Sequence, residues 1–323
     1  MRWVVTRARA GAWLTVASGL AFASSGSFAK SVLGADWSPG AVLAIRLTAA
    51  AAVLLLLAAW RDPAGLRASV RHTRAIIAFG VIAIAGVQAT FFLSLEYLQV
   101  GVSLMIQFLA PIAVIGWNWL VRGQRPGAAT LLGAALAIGG AALVINVFGA
   151  GGLSLPGLGW AGLSMVCNAA LFLLSERTTA QVRPVVLLGT GLTVAAATSW
   201  LLAAVQVLPV HIGAGTVTLA DHRIPAFLSL ALLVLISTVI AYLCGVAGAA
   251  RIGSTLMSLI LLSEVMFAVA LSWLLLGETV TPIQLAGSVV VLGGIMLAQR
   301  GRGADLDPHG LTDALETPAV PRT

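Results

Sequence analysis

Residues 110–143 read APIAVIGWNWLVRGQRPGAATLLGAALAIGGAAL, and residues 264–297 read EVMFAVALSWLLLGETVTPIQLAGSVVVLGGIML. A shift of 154 lays Gly123 on Gly277, Gly133 on Gly287, Gly139 and Gly140 on Gly293 and Gly294, and Trp119 on Trp273. Four glycine positions and a tryptophan in register mark an internal repeat. Each copy is an apolar run, a short polar turn and a second apolar run. The first turn carries Arg122 and Arg125, whereas the second carries Glu278 and no cation. Loops on the cytoplasmic side of a membrane collect Lys and Arg. The same unit with its turn charge rewritten therefore predicts two copies threaded through lipid in opposite senses.

Composition widens this to the whole chain. Of 323 residues, 59% are hydrophobic and 9% charged, against about a quarter charged in a soluble domain. That leaves too little polar surface to face water. A spanning helix needs about 20 apolar residues, and ten stretches meet the need, at 12–33, 40–60, 74–96, 100–121, 128–148, 157–176, 184–207, 224–249, 254–275 and 282–299. Pro39, Pro63, Pro126, Pro156, Pro184, Pro225 and Pro282 fall at or between their ends, where proline starts one helix or stops another. The apolar stretch from 12 to 33 is long enough to span and lacks an Ala-x-Ala cleavage site before a polar region. It reads as the first membrane helix rather than a leader.

The net charge of +7 fits either nucleic acid or cytoplasmic loops, and the charge positions decide between them. With ten spans and both termini in the cytoplasm, Arg2, Arg7, Arg9, Arg61, Arg67, Arg71, Arg74, Arg122, Arg125, Arg177, Arg183, Arg251, Arg300, Arg302 and Arg322 all fall inside, and only Arg223 lies in an outer loop. This distribution decides against a nucleic-acid partner and strongly supports the span count and orientation, because one missed span would scramble it. The expected fold is an all-α integral membrane protein of ten transmembrane helices, built as two inverted five-helix repeats over 1–150 and 151–300. Residues 301–323 are expected to be a disordered cytoplasmic tail. Inverted repeats recur in secondary transporters, where two equivalent halves give inward-open and outward-open states of similar energy.

Three segments carry a family resemblance: GSFAKSVLGADWSPGAVLAIRL at 26–47, FFLSLEYLQVGVSLMIQFLAPIAVIGWNWL at 91–120, and SWLLLGETVTP at 272–282. The chain resembles the EamA-like ten-span permeases of the drug/metabolite transporter superfamily over about residues 12–299. The resemblance implies an exporter of amino acids, related metabolites or toxic compounds, proton-coupled or facilitative. It also implies a pathway lined by spans one, three, four, six, eight and nine. Many members carry Glu four residues before the fourth-span proline, where this chain has Gln107 before Pro111. Others have Glu-Pro in the ninth span, where this chain has Glu264-Val265.

Candidate pathway residues are given by where polar groups sit. Glu264 lies within the ninth span, where an ionised carboxylate must face a cavity, find a partner or take up a proton. That suits a proton-coupling site or a cation contact; the plainer reading is a protonated Glu bonded to a neighbouring helix. Gln107, Asn118, Asn168, Gln88 and Ser25 are neutral polar groups that either bind a polar solute or bond another helix. Trp117, like Trp119 and Trp273, is either an interface anchor or part of a cavity wall. Lys30 and Arg46 lie toward the outer ends of spans one and two and can snorkel to the headgroups. Lys30 has a second reading, gating an anionic group at the outer mouth. Arg46 matches an arginine common in the family, which points to a structural role. Gly133 with Gly140, and Gly287 with Gly294, lie on nearly one helix face and allow close approach of another helix, within the bundle or across a dimer.

The expected function is secondary transport by alternating access, exporting a small metabolite, with amino acids or related compounds first and the proton as candidate coupling ion. The alternative is efflux of drugs or lipophilic cations; a membrane-embedded enzyme or sensor is more distant. No Gly-x-x-x-x-Gly-Lys cradle, His-Glu-x-x-His or Gly-x-Ser-x-Gly is present, and no zinc-ligand spacing joins the four histidines. A cofactor, a metal and catalytic residues are therefore not expected. The expected location is a bacterial inner membrane.

Overall fold

The computed structural model describes residues 2–144, 154–178, 182–213, 215–248, 251–252, 263–279 and 281–306. Ten helical segments occur among the described residues. The first five are α1 Arg2–Leu33, α2 Pro39–Arg61, α3 Pro63–Leu95, α4 Val100–Arg122 and α5 Ala128–Val144. The second five are α6 Leu155–Thr178, α7 Pro184–Ala204, α8 Ala226–Gly248, α9 Ser263–Leu276 and α10 Pro282–Leu306. Seven of them, α2, α3, α4, α6, α7, α8 and α10, are long and apolar enough to cross a membrane. The described parts of α5 and α9 are shorter and equally apolar; they adjoin 145–153 and 253–262, which lie outside the described residues.

Local chemistry starts and breaks these helices. Ser38 caps α2 by accepting the Ala41 N–H at 3.2 Å, with Pro39 at the first helical position. Asp62 caps α3 through the Gly65 N–H at 2.9 Å. Its helix therefore begins at Pro63, within what reads in the sequence as a cytoplasmic loop, and passes a short tighter turn at Val70–His72. α4 is interrupted after Gln107 and resumes at Ala110, with Pro111 in the first turn of the second piece. Helical structure also continues to Leu306, correcting the disordered tail expected from 301. Gly301 there sits against the Thr130 backbone of α5, so the extra turn has a packing partner. Residues 307–323 of that expected tail lie outside the described residues.

Two helices change pitch in the middle. α3 has a π segment at Phe79–Gly86, and α8 has one at Leu235–Ile240. The repeat shift of 154 carries 79–86 onto 233–240, so the two segments share a register. Each ends at a residue whose carbonyl accepts a buried serine from another helix: Ser164 of α6 to Val87 at 3.1 Å, and Ser18 of α1 to Ala241 at 2.8 Å.

The helices pair in a matched way. α2 lies on α7 and α5 on α10; α1 lies against α8 and α9, and α6 against α3 and α4. Exchanging α1 with α6, α3 with α8 and α4 with α9 maps these contacts onto themselves. The α5–α10 contact is the tightest. A methyl on Gly133 would lie 2.7 Å from the Gly294 carbonyl, and one on Gly294 the same distance from the Gly133 carbonyl. Gly140 and Gly287 face each other likewise at 2.8 Å. The two helices are thus antiparallel and touch backbone to backbone, with all four glycines inside this contact. Gly139 and Gly293 have open space instead.

Apolar side chains also cover the outside. Trp13, Trp60, Leu120 and Trp273 are each more than 60% exposed, an arrangement suited to lipid and costly in water. Between α7 and α8 a hairpin not anticipated from the sequence, β1 Thr216–Leu219 with β2 His222–Pro225, pairs Leu219 with His222. Ala220 and Asp221 turn it with positive φ of 49° and 62°, as a two-residue loop between twisted strands requires. The Ala220 N–H is bonded to the Leu275 carbonyl at 2.9 Å, fastening the hairpin to the end of α9.

Candidate functional site

The polar interior centres on Arg46. α2 carries it inward, leaving it 4% exposed. Nε donates to Thr238 Oγ1 at 2.7 Å and Nη2 to the Ser237 carbonyl at 3.4 Å. The guanidinium lies over the Phe92 ring, 5.4 Å from its centroid, a favourable contact for a desolvated cation. Ser237 and Thr238 belong to the π segment of α8. Thr238 Oγ1 donates to the Leu233 carbonyl at 3.1 Å, and Ser237 Oγ shares a hydrogen with Ser24 Oγ of α1 at 2.6 Å. The changed ladder of a π turn here presents a carbonyl and two hydroxyls to Arg46 and α1.

Tyr242 stands just beyond that segment. Its ring meets Phe22 of α1 edge-on, with centroids 5.0 Å apart. Glu264 opens the described part of α9 and keeps part of its surface accessible. Among the described residues neither Arg46 nor Glu264 takes part in an ion pair. A buried charge without an ionic partner costs several kcal/mol; at Arg46 the Thr238 hydroxyl, the Ser237 carbonyl and the Phe92 ring offset part of that cost.

The other polar groups fall into separate settings. Pro111 has no N–H to give the carbonyl four residues before it, that of Gln107. Asn168 of α6 supplies the missing donor, Nδ2 to the Gln107 carbonyl at 3.4 Å. Asn118 is 4% exposed with a buried Oδ1 that lacks a donor; Gln88 Oε1 is also buried without one. Ser25 is buried on α1, and Trp117 is half exposed on the outside of α4. Lys30 lies away from the Arg46 centre. Its Nζ meets Glu278 Oε1 at 2.7 Å and donates to the Leu98 carbonyl at 2.8 Å. Just past the end of α3, outside the spans, partial burial raises the Glu96 carboxyl above its ordinary pKa.

The structure thus gathers Thr238, Ser237, Ser24 and Phe92 around Arg46, with Tyr242 just beyond the same π segment, and leaves Lys30, Asn118 and Trp117 elsewhere. Ser24, Ser237, Thr238, Tyr242 and Phe92 belong to that centre and were not singled out in the sequence. The signal was the run LISTVIAY at 235–242, three hydroxyls inside an apolar span.

The glycine turns decide the family-level question. Gly123 and Gly277 both end their helices with left-handed φ, 68° and 66°. Gln124 N–H returns to the Asn118 carbonyl at 3.1 Å, and Glu278 N–H to the Ser272 carbonyl at 3.3 Å. Residues one repeat apart close the same turn with the same bonds. The profile of the EamA-like transporter family matches in two blocks that contain these turns, residues 9–146 and 155–299. The chain belongs to the EamA-like transporter family. This EamA-like transporter is 28% identical over 225 residues to an uncharacterized inner membrane transporter, YicL, of Salmonella typhimurium, a match covering 69% of this chain and 71% of that protein. A solved crystal structure covers 90% of this chain and 98% of its own at TM-score 0.61 and 17% identity, a likeness of fold. The EamA-like transporter is accordingly a multi-pass membrane protein acting on a small molecule.

Proposed function

We propose that this protein exports a zwitterionic metabolite, an amino acid or close relative, by alternating access of two inverted five-helix repeats with both termini in the cytoplasm. The observation that carries the substrate class is the presence of two opposite charges within the spans, Arg46 and Glu264, neither of which takes part in an ion pair among the described residues. A carboxylate on the Arg46 side and an ammonium on the Glu264 side satisfy both at once. A guanidinium already seated on Phe92 disfavours a lipophilic cation there. The inverted reading is supported by the reciprocal α5–α10 glycines, the matched helix pairings and the paired π segments. Glu264 is the group assigned to proton coupling, releasing its proton on one side when the solute's ammonium binds.

The test is accumulation of amino acids in cells overproducing the protein, followed by counterflow in proteoliposomes. Glu264→Gln is expected to abolish pH-driven export while exchange of unlabelled for labelled solute persists. Export by that variant at the wild-type rate across pH removes the coupling role. Transport confined to hydrophobic cations would replace the substrate class with drug efflux.

A further inference from the structure

We propose that Lys30 and Glu278 form a latch that holds the two halves closed at one membrane face. The latch crosses the repeat boundary. Lys30 belongs to the last turn of α1 and Glu278 to the α9–α10 turn. It is doubly seated: Lys30 Nζ also holds the Leu98 carbonyl, and Glu278 Oε2 accepts the Val100 N–H at 3.2 Å. One ion pair thus ties α1, the α3–α4 link and the α9–α10 turn. The Gln99 amide points to the Thr279 carbonyl at 3.5 Å and lies the same distance from Gln284.

Both charges are largely shielded, with side chains 29% and 12% exposed. A pair so placed contributes more than a surface pair, because water screens it less. Losing one partner strands the other charge. Glu278 also lines a small cavity together with Gly101, Val102, Val269, Ser272 and Ser288.

The repeat supplies the comparison. Glu278 corresponds to Gln124, which closes the same glycine turn on the first copy. Gln124 carries no charge and is exposed. Among the described residues this first-copy turn takes part in no ion pair.

The inference rests on the alternating-access reading, and its test needs no substrate, so failure of the substrate screen leaves it intact. Cys167 and Cys244 are replaced by Ser, and Ser272→Cys, in the lining of the Glu278 cavity, serves as reporter. A membrane-impermeant maleimide is applied to intact cells and to inverted vesicles, so orientation is read and not assumed. Lys30→Gln and Glu278→Gln are each expected to speed labelling from one face about fivefold or more. The exchanged pair, Lys30→Glu with Glu278→Lys, is expected to return it to the parent rate. Unchanged labelling in both single variants overturns the latch. Fast labelling in the exchanged pair with a native elution profile also overturns it, by assigning the effect to packing. Should the exchanged pair fail to fold, Lys30→Arg takes its place, expected slow if charge is what matters.

Discussion

At the scale of single residues, the Gln107–Pro111–Asn168 triangle shows how a sequence signal divides. The proline was visible and its cost predictable, because the ring removes one donor from the ladder. Asn168 is the answer to that cost, from sixty-one residues away, and no local pattern could connect them. Asn168→Ala should lower stability by about 1 kcal/mol, the worth of one interhelical bond in lipid or of a buried carbonyl left bare. In Pro111→Ala the backbone N–H returns, so Asn168→Ala should then cost little. Thermal unfolding of the four proteins in detergent measures the coupling, and additive losses would detach Asn168 from the carbonyl. Arg46 divides the same way. Its presence in a span was legible; its direction was not, because snorkelling outward and turning inward use the same side chain. Arg46→Lys keeps the charge but loses the planar fork and the flat contact with Phe92. It should raise the KM for export about tenfold with a smaller effect on kcat, if each lost bond to the cation is worth about 1.5 kcal/mol.

At the scale of elements, the glycine spacing announced close helix contact but left the partner open between a helix of the same chain and a second copy. The geometry places the four glycines between α5 and α10. Gly140→Ala should therefore destabilise the protein by about 1–3 kcal/mol, as overpacking does. Gly139→Ala, one residue away in open space, should be neutral or slightly stabilising through helix propensity. Melting temperatures of the two variants discriminate, and equal losses would contradict the assigned faces. Several helix ends were read within a few residues, since hydropathy reports length and polarity directly; the starts of α1 and α3 were not, because those helices run on beyond their apolar stretches into polar sequence. The pitch changes in α3 and α8 were not legible either, because FGVIAIAG and LISTVI are as apolar as any α-helical stretch and the ladder register is set by what packs around them. The hairpin was missed for a related reason: Ala220-Asp221 is a weak turn pair beside Asn-Gly or Asp-Gly, and contact with α9 stabilises it.

At the scale of the molecule, the repeat seen in two stretches extends to which helix lies on which. An odd number of spans per half turns the second half over. Tags inserted after residue 150 and placed at the C-terminus should accordingly lie on opposite faces of the bilayer, read by protease protection in spheroplasts and inverted vesicles. Tags on one face would undo the inverted architecture and leave transport resting on family membership. Composition made the membrane legible, while the charge positions give an expected sidedness that the tags test. Substrate chemistry was not legible, because it depends on which of many buried polar groups converge, and convergence is a property of the folded chain.

The twin π segments carry one last implication. A π turn holds one residue more than an α-helix of equal length, and each added residue rotates the remainder of its helix by about 100°. Both halves contain this offset at the same repeat position, so under the proposed alternating access their cost would cancel between the two orientations. Removing a single residue from one segment would leave the other uncompensated, and the two orientations of the carrier would cease to be isoenergetic. Parity between the halves is thus kept by a pair of matched irregularities, and a family member that has lost one of them should transport well in one direction and poorly in the other.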